Sequence, residues 1–378
     1  MKMIEIIPAE NIDIDEYRRS ICFVSEDILS INEKDGKIVI GIADEGDELQ
    51  IRQELLAIMK KYRQDTSINE YFFKSKNEST FYYDIFKDCG LIDFGNGQIG
   101  FDEKGKFIME YFDSVFCGFA KRYGAMEKVY PVMLPIGPYS LTGYLKKSPQ
   151  YSFFCSSIKD NLSALEETDE SVKNSEVREI IKEPEFALSP SACFHTYIEY
   201  KNKELEKNTL VTFTQNVFRN EGRLNYFQKG RLCDYHVREI VMIGSQEYCV
   251  SVRDKIMDDT VNLLVELNLR GDISLASDSF VIPKMQMYRR LQHIDKSKYE
   301  MHLYTGINEK VSTASFNLHG KAFTDPFNIC VRGEDTVTAC IGFGLQRFVI
   351  SFFSQFGYNE DHWPERIKLA YLEYQGKK

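Results

Sequence analysis

The chain has 378 residues, 43% hydrophobic and 28% charged, with a formal net charge of −10. That balance suits a globular fold and argues against a broad phosphate-binding surface, while leaving room for a local basic pocket. No apolar run reaches the ~20 residues that cross a bilayer, and nine cysteines without a CxxC point to packing or ligand roles in a reducing, cytoplasmic setting.

Taken in order, residues 1–85 read as a small α/β module with no evident chemistry. KIVIGIA (37–43) predicts a strand and DELQIRQELLAIMKKYRQ (47–64) a helix. The polar stretch FFKSKNEST (72–80) marks a boundary, and 86–378 read as a larger second domain. A literal GxGxxG occurs at Gly95, Gly97 and Gly100, but it lies between two alternating runs. That context predicts a tight hairpin, not a dinucleotide-binding turn. Residues 105–126 predict an amphipathic helix capped near Gly124, followed by a short strand closed by Pro131 and Pro135. Residues 157–184 form an acidic excursion with a helical stretch at 170–183, either a surface loop or a partner-docking element.

FALSPSACFHTYIEY (186–200) then presents Cys193 and His195. NVFRNEGRLNYFQKGRLCDYHVREIVMIG (216–244) predicts two strands joined by a basic loop. Period-two alternation places Arg219 and Glu221 on one face, and Tyr235 and Glu239 on one face. Alone, this hairpin fits a solvated surface with ion pairs of little worth. A long helix is expected over 247–269, alternating strands over 297–333, and a glycine-rich strand end running into a helix over 338–357.

Three of these stretches resemble the motifs of class II aminoacyl-tRNA synthetases. They are the 105–135 helix and strand, the hairpin with FRNE (218–221), Arg231 and YHVRE (235–239), and GFGLQRF (342–348). The finer pattern LSPSACFHTY, VREIVMIG, KYEMHL, SFNLHGKAF and TACIGFGLQR resembles the bacterial amino acid–carrier-protein ligases. Those are homologues of the zinc-dependent seryl-tRNA synthetases of methanogens. The resemblance implies an α/β (α+β) fold with a class II antiparallel sheet flanked by helices, and a homodimer through the first motif.

It also implies ATP-dependent activation of a small amino acid, glycine or alanine, as an aminoacyl-adenylate. Transfer to the phosphopantetheine thiol of a carrier protein would follow. By position, Cys193, Glu239 and Cys340 would bind zinc, leaving a fourth position for the substrate's amino group. Cys330 competes with Cys340 by residue type, and each cysteine taken singly also fits a packing thiol. Arg219 would grip the carboxylate and α-phosphate, and Arg231 the outer phosphates. Tyr235 and Arg347 would clamp adenine, and Glu221 would accept from its amino group. Glu300 would hold magnesium, with Ser315 or Asn317 nearby.

Adenylation requires no general base, so His195 and His236 are not expected to be catalytic. Ser315, Asn317 and His319 are expected to touch substrate. Net acidity and the lack of a long basic coiled coil imply that tRNA is not the acceptor. A seryl-type tRNA synthetase and a non-catalytic paralogue remain the alternatives.

Overall fold

A computed structural model describes residues 1–376 except 11, 63–69, 80, 227 and 279. Its centre is an eight-stranded sheet. In spatial order the strands are Tyr71–Lys74, Gly271–Leu275, Lys298–Tyr304, Lys310–Gly320, Thr336–Gly344, Asp234–Ser245, Thr209–Phe218 and Met126–Glu127. All neighbours are antiparallel except the last pair, where Val211 faces Met126 in parallel. The helices Glu103–Arg122, Gln246–Glu266 and Leu345–Phe356 cover one face. There Phe116 stacks on Phe343 at 4.0 Å and packs on Phe348. The opposite face of the same strands forms a cleft wall.

Local chemistry explains the element ends. Asp102 caps the helix Glu103–Arg122 by accepting from Gly105 N, and Gly124 leaves it at φ +85°, as its position predicts. Leu91–Gly95 and Gln98–Phe101 form a hairpin through Asn96 and Gly97, both at positive φ. The glycine motif is therefore a turn, and not the opening of a helix.

Several boundaries differ from the sequence reading. The N-terminal module has a three-stranded sheet (Lys2–Ile6, Lys37–Ile42, Ile28–Lys34), two helices (Ile14–Ile21, Glu48–Met59) and its own core around Ile4, Tyr17, Ile40 and Leu55. Residues 63 and 64 of the expected 47–64 helix lie outside the described residues. Tyr71–Lys74 already pairs with Gly271–Leu275, so the module's own packing ends before it and short of residue 85. In the acidic excursion the main helix is Leu162–Lys173, started by Asn161 accepting from Ala164 N and ended before Ser175 at φ +61°. Only the short helix Val177–Ile180 follows, in place of a continuous 170–183 stretch.

Candidate active site

The front of the sheet carries a two-row lattice. Glu300 faces Ser315, Ser315 faces Gly342, and Gly342 faces Glu239. One row over, Lys298 faces Asn317 and Asn317 faces Cys340. Antiparallel pairing points directly opposed residues to the same side, so four strands contribute to one surface. This surface, the segment before the hairpin and the hairpin loop enclose a cleft of about 1330 Å³. Cys193, Arg219, Glu221, Arg231, Tyr235, Glu239, Glu300, Ser315, Asn317, His319, Cys340 and Arg347 all line it.

One buried group in the cleft is Cys193, Glu239 and Cys340, 2%, 4% and 5% exposed. Their two sulfurs and one carboxylate oxygen lie within 4.8 Å of one another. Cys193 stands at the head of the short helix Phe194–Glu199, while Glu239 and Cys340 come from adjacent strands. Gly342 makes the room: a Cβ there would lie 2.9 Å from Glu239 Oε2. Three acids this close are in conflict. Burial first, and then the Cys193 charge, holds the Glu239 carboxyl well above its usual range. The hydrogen bond between the cysteines lowers Cys193 and raises Cys340.

A divalent cation removes that conflict, and two thiolates with a carboxylate suit zinc. Neighbouring donors orient the sulfurs. Ser191 Oγ lies 3.3 Å from Cys193 Sγ, and Asn317 Nδ2 lies 3.6 Å from Cys340 Sγ. His319 Nε2 lies 3.6 Å from the same Cys340 sulfur, and burial pushes its imidazole down to about 4. Cys330 is exposed, pairs with Glu204 in a separate two-stranded sheet, and is not in the cluster.

The nucleotide candidates line the same cleft. Arg347 lies over the Tyr235 ring with its guanidinium carbon 4.5 Å from the centroid. The two are therefore in contact, and a base entering between them at ~3.5 Å from each must part them. Arg231 Nη1 donates to Glu221 Oε2 at 3.2 Å, so these residues are partners in this state. Arg219 Nε donates to Pro190 O at 2.9 Å, and its guanidinium stands 5.7 Å over Tyr151.

The strand Thr209–Phe218 ends before Arg219, so Arg219 and Glu221 lie in the loop and not on a strand face as read from alternation. The backbone there turns to sequence-distant partners: Phe218 N donates to Ser189 O and Arg219 N to Cys233 O. The fully solvated reading of the hairpin also fails, because Glu239 and Tyr235 are buried.

Glu300 differs from an open magnesium ligand. Lys298 Nζ lies 2.8 Å from Glu300 Oε1, and His302 Nε2 lies 3.6 Å from Oε2. Burial would raise the Glu300 carboxyl, but Lys298 and then His302 pull it down to about 2. Lys298, 8% exposed, also pairs with Asp278 at 2.6 Å. Sequence reading passed over Lys298 and His302. Their signal was the alternation of KYEMHLY, which sets them on the Glu300 face.

No protein-family model matches the chain. It is 27% identical over 269 residues to a type-2 serine–tRNA ligase of Methanococcus maripaludis, covering 65% of this chain and 51% of that protein. The chain thus spans about half the length of that curated relative. The structure of M. kandleri SerRS in complex with A. aeolicus tRNASec aligns over 99% of this chain and 78% of that one, with TM-score 0.70 and 18% identity. Seryl-tRNA synthetase from Pyrococcus horikoshii complexed with ATP aligns over 72% of this chain and 57% of that one, with TM-score 0.51 and 12% identity.

These findings overturn the expectation that tRNA is not the acceptor: the relative is a tRNA ligase and one structural neighbour holds a tRNA. Net charge sums over a whole molecule and does not report a local contact surface. By sequence and by fold, the chain is a homologue of the type-2 seryl-tRNA synthetases with a class II synthetase architecture.

Proposed function

We propose that the chain activates an amino acid with ATP as an aminoacyl-adenylate and passes the acyl group to the terminal hydroxyl of a tRNA. Serine is the first substrate to test, followed by glycine and alanine. The observation that carries this reading is the convergence of a buried thiol–thiol–carboxylate group with Arg219, Arg231 and Arg347 in one cleft. Cys193, Glu239 and Cys340 would hold zinc, which when bound supplies a Lewis-acid anchor for the neutral amine of the substrate.

Activation brings a carboxylate oxygen against the α-phosphorus and expels pyrophosphate, so two anions must be held together. Arg219 grips both and cancels their repulsion. Arg231 exchanges Glu221 for the outer phosphates, which frees Glu221 to accept from the adenine amino group. Tyr235 and Arg347 part to take the base between them. Glu300, held ionised by Lys298 and His302, would hold magnesium once those neighbours give way to it. In the second step the acceptor oxygen attacks the acyl carbon and AMP leaves.

ATP–pyrophosphate exchange across all amino acids tests the first step, and exchange with none of them defeats the reading. Adding tRNA then tests the second. Transfer to a carrier-protein thiol is the second reading, favoured by the exposed apolar side chains Leu162, Leu165 and Val172 on the excursion helix, 76%, 56% and 57% exposed. A carrier protein in the same assay separates the acceptors.

A further inference from the structure

The loop between the hairpin strands, residues 219–233, is not a free tip. The N-terminal module seats it from one side. Asn225 is 1% exposed, and its Nδ2 donates to Glu221 O at 2.7 Å and to Arg19 O at 3.0 Å. A single buried amide thus ties the backbone beside a nucleotide candidate to the module's first helix. Arg223 donates to Glu26 O at 2.6 Å and also to Ile28 O. Gly222, at φ +88°, comes so close that a Cβ would lie 2.4 Å from Cys22 Sγ. On the other side the glycine hairpin closes in: Cys233 N donates to Gly97 O at 2.9 Å.

We propose that the N-terminal module acts as a brace that sets the loop carrying Glu221 and Arg231, with Asn225 as the positioning residue that transmits it. The proposal rests on the reading above only in naming ATP as the ligand. A loop of this length left to itself samples many conformations, and each nucleotide would have to select one. Anchoring it beforehand moves that ordering cost from binding to folding. The module touches the loop's backbone and does not need to touch the nucleotide.

The test uses the full chain and three variants. Asn225→Asp keeps the shape but turns the donor into an acceptor facing two carbonyls. Arg223→Ala removes an exposed anchor, and Arg223→Lys restores one donor. ATP affinity is read by calorimetry, and loop order by amide hydrogen exchange over 219–233. ATP affinity should fall about five- to tenfold in Asn225→Asp and less in Arg223→Ala, with recovery in Arg223→Lys. The loop should exchange faster, while amino-acid KM and zinc content stay as in wild type. Faster exchange with unchanged ATP affinity, or no change in either, overturns the proposal. A wild-type chain that binds ATP but drives no exchange would defeat the proposed function, while the affinity series still decides the brace.

Discussion

Glu239 shows how much one position depends on a residue that contributes no side chain. Its carboxylate sits against Gly342 across the ladder, with no space for a methyl group between them. Gly342→Ala should therefore push the carboxylate out of register with the two sulfurs. Changing a residue that supports a ligand, as Gly342 does, costs about 10- to 100-fold in metal affinity, checked by zinc analysis of the purified protein. Glu239→Ala should abolish bound zinc outright and leave the fold intact by circular dichroism. Retained zinc in that variant would refute the ligand assignment. The alternation 235, 237, 239, 241 made the position of Glu239 legible in sequence. The space reserved by Gly342 was not, because it depends on strand pairing.

At the scale of elements, the hairpin and the helix Leu345–Phe356 are joined by an amide–imidazole link. His236 N donates to Gln346 Oε1 at 2.8 Å, and Gln346 Nε2 lies 2.9 Å from His236 Nδ1. The residues next to this pair, Tyr235 and Arg347, are the ones stacked on each other in the cleft. Burial lowers the His236 imidazole below its ordinary 6.5, against the raising pull of Asp234 and Asp113. The neutral ring is the native form, so this link's contribution is present above 6.5 and is lost as pH falls toward the depressed value. The unfolding midpoint and ATP affinity should both decline on acidification from about pH 7 to 5. Gln346→Glu, an acceptor facing the same nitrogen, should shift that decline to lower pH or abolish it. The motifs and their order were readable from sequence. The ends of Thr209–Phe218 and Leu162–Lys173 were not, since the first is set by distant backbone partners and the second by a local asparagine cap.

For the whole molecule, two hydrophobic cores share one functional cleft. The N-terminal core is built on isoleucines, the larger one on phenylalanines packed beneath the sheet. They are joined at Arg289–Asp13, 2.9 Å, and at Tyr62 OH to Phe280 O, 3.1 Å. No helix among the described residues is long and apolar enough to cross a membrane. A ligand that binds only the folded state stabilises it by mass action, about 2.7 kcal/mol at a hundredfold excess over Kd. Removing zinc by chelation should therefore lower the unfolding midpoint of the whole chain. The same treatment of Cys193→Ser should leave its midpoint unchanged, as measured by calorimetry.

The two-row lattice has a consequence for how such a site can vary. Because faces alternate with every residue, inserting or deleting one residue within Thr336–Gly344 would turn Cys340 and Gly342 toward the phenylalanine core and bring Ala339 and Ile341 into the cleft. The same holds for the partner strands. Length changes are thus confined to the connections, while substrate preference and chemistry can drift only by exchanging one side chain for another at fixed lattice points.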